Sequence, residues 1–308
     1  SIGRVCPHPC EEKCRRALVE QPLSIAYLKA FAADNDMASE NPFKPAVAAA
    51  TGKKVAIVGG GPAGLNAAYQ LAVKGHTVTV MDMMPEMGGM LRYGIPEYRL
   101  PKAVLAAEVQ QIADLGVEMV NNIKVGSDIT LDYLRGAFDA VLVAVGAWKS
   151  TGVGCEGDKL EGVVGGIDVL REVNLGARPN LGKNVAVVGG GNVAMDAARS
   201  AMRLGAEKVY IVYRRSLDEL PARKEEVHHA MEEGIEFLIL NNPERILGDD
   251  EGNVRAVECV KMELGEPDER GRRRPVVIPD SEFTIDVDTV IMSIGTSPNP
   301  LIKSTTEG

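Results

Sequence analysis

The chain has 308 residues, 45% of them hydrophobic and 25% charged, with a formal net charge of -9. That length accommodates two domains of ordinary size, each with its own core. The acidic balance weighs against nucleic-acid binding, which needs clustered cations, and no apolar run approaches the ~20 residues of a membrane span.

Five cysteines are unevenly spread: Cys6, Cys10 and Cys14 crowd the start, while Cys155 and Cys259 stand alone. An odd, clustered set does not read as a secreted disulfide framework; it points to metal ligation in a reducing compartment. The opening residues carry no signal-peptide pattern, so a cytoplasmic location is expected.

Residues 1–40 read as helical, with Leu23 to Phe31 apolar at helical spacing after Pro22. Pro42, Pro45 and an alanine-rich stretch up to Gly52 read as a linker. Val55-Ala56-Ile57-Val58 then predicts a strand buried on both faces of a parallel sheet. A glycine turn follows, then a helix from Pro62 to Lys74 stopped by Gly75, and a second strand from Thr77 to Met81. A further strand, Ala140 to Val145, reaches Gly146.

The same unit then recurs. Val185 to Val188 is the strand, Met195 to Leu204 the helix, Gly205 its stop and Val209 to Tyr213 the second strand. A helix from Arg223 to Glu233 precedes a strand from Phe237 to Leu240. Residues 249–253 and 265–274 read as hairpin turns, the basic run Arg270 to Arg274 being a solvated tip. The last strand is Thr289 to Ile294, ending at Gly295. Strand and helix alternating in two copies predict parallel sheets with right-handed crossovers.

Gly59-x-Gly61-x-x-Gly64 has what a dinucleotide turn needs. Gly59 permits the tight turn, Gly61 admits a pyrophosphate to the backbone, and Gly64 lets helix approach strand. The anion then sits on the helix N-terminus, opened by Pro62 and Ala63. Asp82 lies 23 positions after Gly59 at a strand end, where it can bind ribose hydroxyls. The alternative is a glycine turn of purely structural use.

In the second copy the turn is Gly189-x-Gly191-x-x-Ala194, spanning Asn192 and Val193, and the strand ends in Arg214 and Arg215. A carboxylate there would accept from a 2′-hydroxyl and repel a 2′-phosphate, whereas arginines do the reverse. NADP(H) is therefore expected over NAD(H), against the plainer reading of a solvated arginine pair. The acid-terminated site suits FAD. Val145-Gly146 and Ile294-Gly295 fit as small-residue passages beside the first nucleotide.

Cys6, Cys10 and Cys14 sit at i, i+4 and i+8, although Pro7 and Pro9 impose a turn. Such thiol density suits an iron–sulfur cluster or zinc, three ligands being one short of a closed site, against the plainer reading of three unrelated buried cysteines. The four histidines are scattered; no Gly-x-Ser-x-Gly occurs, and no Cys-x-x-Cys that would form a redox disulfide beside a flavin.

Together these residues resemble the small (beta) subunit of NADPH-dependent glutamate synthase. Its relatives include the N-terminal half of dihydropyrimidine dehydrogenase and the large subunit of NADH-dependent ferredoxin:NADP oxidoreductase. The resemblance rests on Gly3 to Glu11, Gly88 to Pro96, Gly189 to Asp196, Tyr213-Arg214-Arg215 and Ile294 to Pro300. It implies an α/β chain of two Rossmann-like, three-layer dinucleotide-binding domains. A helical iron–sulfur segment would occupy 1–50. An FAD domain would take 51–150 and 286–308, with the NAD(P)H domain, 151–285, inserted in it. It further implies that Gly88, Gly89 and Arg92 lie along the FAD, and that electrons pass from NADPH through FAD to [4Fe-4S] clusters.

The chain departs from that pattern in three places. An earlier cysteine-rich segment is missing, Lys29 stands where relatives often place a Glu or Gln ligand, and the chain stops at Gly308 before a Gly-Asp segment that contacts the flavin. A fragment with an incomplete FAD cleft is the expectation.

The expected function is an NADPH-dependent FAD oxidoreductase feeding clusters of its own or of a partner, either ferredoxin-type or like the glutamate synthase large subunit. No catalytic acid–base residue is expected, since hydride transfer is cofactor chemistry. Direct reduction of a small substrate at the flavin, or a non-catalytic nucleotide-binding scaffold, are the rival readings.

Overall fold

A computed structural model describes residues 1–269 and 271–299. Arg270 of the basic run, Pro300 of the last motif and the end of the expected 286–308 segment lie outside the described residues. The chain divides into two units at Gly146/Ala147.

The first unit opens with short pieces: α1 (Ile2–Val5), α2 (Pro9–Glu12), a 3₁₀ turn at Arg15–Leu18 and α3 (Ile25–Met37). His8 separates α1 from α2 with a left-handed backbone, φ 42°, between two prolines that cannot continue a helix. Then come β1 (Lys54–Val58), α4 (Pro62–Val73), β2 (Thr77–Met81), α5 (Met90–Tyr93), α6 (Lys102–Ala113), β3 (Glu118–Val120), α7 (Leu131–Ala137) and β4 (Ala140–Val143). The strands form a parallel sheet in the order β3–β2–β1–β4. Alternate residues of β1 feed two cores. Val55 and Ile57 pack with Leu65, Ala68 and Val80, while Ala56 and Val58 pack with Met81 and Leu134. Residues 1–50 group with this unit rather than standing apart.

The second unit contains β5 (Lys149–Ser150), β6 (Val163–Gly165), α8 (Gly166–Asn174), β7 (Asn184–Val188), α9 (Asn192–Leu204), β8 (Lys208–Tyr213), α10 (Lys224–Glu232) and β9 (Glu236–Ile239). An antiparallel stretch follows: β10 (Asn241–Gly248), β11 (Val254–Pro267), β12 (Arg273–Val277) and β13 (Phe283–Asp286). Last are β14 (Thr289–Met292) and β15 (Thr296–Ser297), the latter paired with β5. The parallel sheet runs β6–β14–β7–β8–β9. One face packs on α8, α9 and α10 through residues such as Val169, Met195 and Ala230. The other packs on the antiparallel strands through Ile246, Val257 and Cys259. These are the expected three layers.

One boundary is corrected. The chain does not leave the second unit at residue 286, because β14 lies in that unit's parallel sheet between β6 and β7. All four β14 residues are buried, so the strand needs a neighbour on each side. Its entry is fixed as well: the Asp288 carboxylate accepts from Lys183 N at 2.7 Å and Asn184 N at 2.8 Å. Thr289 Oγ1 donates to the Leu181 carbonyl at 2.8 Å.

Candidate functional site: two glycine turns

In the first unit the turn after β1 is held by its own backbone. Gly59 has φ 111°, and its N–H donates to the Met81 carbonyl at 2.8 Å. A Cβ on Gly59 would collide with the Ala144 carbonyl and approach Val145 Cα to 3.2 Å. One on Gly64 would collide with the Gly59 carbonyl. Both glycines are therefore required by the fold.

Gly61 is different. It caps α4 with φ −79° and ψ −174°, which any residue adopts, and the nearest atom to a Cβ there is Gly89 Cα at 3.7 Å. Pro62 and Ala63 follow as exposed residues in the first turn of α4.

Asp82 joins β2 to this turn. Its carboxylate accepts from Gly60 N at 2.6 Å and from Met84 N at 2.8 Å. The segment after it folds back over the glycines, with Gly88 N donating to the Gly60 carbonyl at 2.8 Å. Gly88 and Gly89 have φ 132° and 52°, and a Cβ on Gly89 would lie 2.6 Å from Gly61 Cα. Arg92 Nε donates to the Met87 carbonyl at 2.8 Å and its guanidinium pairs with Glu86. Burial pushes the Tyr93 phenol up, its oxygen accepting from Glu86 N and its OH donating to the Glu86 carbonyl, each at 3.0 Å. Thus Gly59, Gly61, Gly64, Asp82, Gly88 and Gly89 come together, with Arg92 bracing the covering loop. Val145 is half-buried beside Gly59, and Gly146, φ 69°, follows it.

The second unit repeats the arrangement. Gly189 has φ 140°, donates to the Val212 carbonyl at 3.0 Å, and carries no room for a Cβ against the Ser293 carbonyl. Gly191 caps α9 with φ −88° and ψ 177°, and a Cβ there would meet no atom within 4 Å. Asn192 and Val193 open α9, the Asn192 amide oxygen accepting from Arg223 N at 3.1 Å. Ala194 is fully buried against the sheet. Gly295, φ 137°, accepts at its carbonyl from Thr151 N at 3.0 Å within this unit.

Arg214 and Arg215 close β8. Arg214 is exposed, with no hydrogen bond or ion pair among the described residues. Arg215 Nε donates to the Arg273 carbonyl at 3.1 Å, while Arg273 Nε donates to Glu219 at 3.1 Å. The sequence offered a signal for Glu219, since Ser216-x-x-Glu219 is a capping box. Nothing local pointed to Arg273.

The three N-terminal cysteines do not assemble. Among the described residues no group of three or more His, Cys, Asp or Glu is placed to hold a metal ion. The left-handed His8 breaks the i, i+4, i+8 register: Cys10 is exposed on α2, while Cys6 and Cys14 are half-buried in separate turns. The Cys14 thiol is held below its ordinary value by backbone N–H groups, Leu23 foremost. As placed, the three do not fit a cluster. Burial pushes Cys259 up to about 12 and Cys155 upward too, as expected of core thiols.

A family model described as pyridine nucleotide-disulphide oxidoreductase matches residues 53–308. The NADP(+)-dependent formate dehydrogenase subunit beta of Moorella thermoacetica is 47% identical over 96% of this chain and 45% of that protein. The NADPH-Fe(3+) oxidoreductase subunit beta of Geobacter sulfurreducens is 46% identical over 96% of this chain and 45% of its own length. The glutamate synthase [NADPH] small chain of Escherichia coli is 36% identical over 96% of this chain and 66% of that one, which bears out the resemblance read from the motifs. The chain thus spans about 45% of the first two relatives. Among solved structures, FprA of Mycobacterium tuberculosis in complex with NADPH superposes with a TM-score of 0.71 at 20% identity, covering 83% of this chain and 72% of that one. That likeness is one of fold.

Proposed function

The chain belongs to the pyridine nucleotide-disulphide oxidoreductase family, and on that premise we propose that it accepts hydride from NADPH onto FAD and passes electrons to a partner subunit. One observation carries the reading: the fold requires glycine at Gly59, Gly64 and Gly189 but not at Gly61 or Gly191. Glycine at those two helix caps is explained by something that must approach the backbone, and a pyrophosphate on a helix N-terminus is what such a turn accepts.

Gly59, Gly61, Pro62, Ala63, Gly64 and Asp82 would hold FAD, with Gly88, Gly89, Arg92, Val145 and Gly146 along it. Asp82 already accepts two backbone N–H groups, and a carboxylate has capacity left for a ribose hydroxyl. Gly189, Gly191, Asn192, Val193 and Ala194 would receive the NADPH pyrophosphate, and Arg214 and Arg215 the 2′-phosphate. When bound, the flavin supplies the hydride acceptor and splits two electrons into single steps. The protein's part is to hold two nucleotides in place, and no side chain is assigned a proton.

Because Cys6, Cys10 and Cys14 are not gathered, no electron step is drawn through them, and the iron–sulfur or flavin acceptor is assigned to the partner, of ferredoxin or glutamate synthase large-subunit type. The sequence has no Cys-x-x-Cys, so family membership brings the two-nucleotide scaffold without the redox disulfide. No helix among the described residues is long and apolar enough to cross a membrane, and a cytoplasmic site of action is part of the proposal. The test is equilibrium binding of NADPH to the Arg214→Ala, Arg215→Ala double variant. Weakened binding is expected; unchanged affinity would remove the 2′-phosphate assignment.

A further inference from the structure

We propose that Glu219 and Arg273 are positioning residues for the nucleotide 2′-phosphate, so that the β11–β12 hairpin takes part in selecting NADP(H). The inference rests on reading Arg214 and Arg215 as the phosphate site. Among the described residues the Arg215 side chain makes one hydrogen bond, from Nε to the Arg273 carbonyl at 3.1 Å. A guanidinium has five N–H donors in a rigid plane. Committing Nε to a carbonyl fixes that plane and leaves both terminal amino groups as a fork for a phosphate.

The carbonyl is itself held in place. Arg273 Nε donates to Glu219 Oε1 at 3.1 Å, and the other carboxylate oxygen accepts from Ser216 N at 3.3 Å and Ser216 Oγ at 3.1 Å. Ser216 follows Arg215 in the chain, so the contacts close a ring from Arg215 through Arg273 and Glu219 back to Arg215. Glu219 is the more buried end of the ion pair, its side chain 20% exposed against 46% for Arg273.

Two effects follow. A side chain already held loses less rotamer freedom when it grips an anion. In addition, the Glu219 charge, which would repel a phosphate, is taken up by Arg273. Neither effect touches a nucleotide that lacks the 2′-phosphate. A free hairpin would do neither, because the tip of β11–β12 is far in sequence from β8 and is tied to it here through Arg273.

The test is calorimetric titration of the intact protein with NADP⁺ and, separately, NAD⁺, neither of which reduces a flavin. Arg273→Ala and Glu219→Ala are each expected to raise the Kd for NADP⁺ roughly fivefold to tenfold while leaving that for NAD⁺ within about twofold. The double variant should be no worse than either single one, since both act through one relay. Arg273→Lys, which keeps a cation for Glu219, should recover most of the affinity. If Arg215→Ala weakens NADP⁺ but Arg273→Ala and Glu219→Ala do not, the relay is overturned and the phosphate site stands. If the Arg214→Ala, Arg215→Ala variant binds NADP⁺ as before, both fall. A lower Tm with an unchanged NADP⁺-to-NAD⁺ ratio marks the pair as a hairpin latch and overturns its positioning role.

Discussion

Gly60 donates its N–H to the Asp82 carboxylate at 2.6 Å, so the glycine turn after the first strand and the acid ending the second form one hydrogen-bonded piece. The acid thus shapes the turn before any ribose reaches it. Each charge-assisted bond of this kind contributes about 1.5–3 kcal/mol, and Asp82 makes a second to Met84 N. Asp82→Ala is expected to lower stability by about 3–6 kcal/mol and to reduce the flavin recovered per protein. Thermal melts and the flavin-to-protein absorbance ratio read the two separately.

The glycines divide into two classes by substitution. Gly189→Ala must adopt φ 140° and meet the Ser293 carbonyl, so a loss of at least about 1–3 kcal/mol from strain alone is expected. Gly191→Ala meets no atom within 4 Å and should leave the Tm unchanged or slightly raised. Its NADPH affinity should nevertheless fall, because a methyl group then stands where the pyrophosphate meets the backbone. Calorimetry and NADPH titration of both variants check this opposite pairing of stability and binding.

Much of this was legible from residue order. Val55 to Val58 and Val185 to Val188, each followed by a glycine turn and an apolar-faced helix, announced two parallel units, and residues 249–253 and 265–274 announced the hairpins. What failed did so for identifiable reasons. Val290 to Met292 is a continuous apolar run, and such a run says that a strand is buried without saying in which sheet. The turn that Pro7 and Pro9 pointed to is there, with a left-handed His8, but the cysteine spacing did not say where that turn leaves the three thiols. The Arg215–Arg273 contact joins residues 58 positions apart and has no local signature.

Acid should loosen the second unit through Glu233. Its carboxylate accepts from Arg203 at 2.7 and 2.9 Å and from Arg199 at 2.8 and 3.1 Å, joining α9 to α10. Arg203 first, then Arg199, holds it down from 4.5 to about 2. A group whose pKa is lower in the folded state contributes stability above its unfolded value and loses it as pH falls. The contribution should therefore be complete above 4.5 and fade toward 2. Glu233→Gln should flatten that limb of a Tm-against-pH curve, and an unchanged limb would assign it elsewhere.

Thiol reactivity should follow the environments of the cysteines. Cys14, its thiol held below the ordinary 9.0 by backbone N–H groups, should react with a disulfide reagent at lower pH than a free cysteine. Cys10 is exposed and should also be modified in the native protein, whereas Cys259, buried and pushed up to about 12, should stay silent until unfolding. Mass spectrometry of the modified peptides across a pH series reads this order directly.

The central claim is that two unlike nucleotide turns serve one hydride transfer from NADPH to FAD. Anaerobic mixing of the flavin-loaded protein with NADPH tests it most directly. Flavin absorbance should bleach, and more readily with NADPH than with NADH. Absorbance that stays constant after NADPH addition, in protein shown to hold both nucleotides, would contradict it.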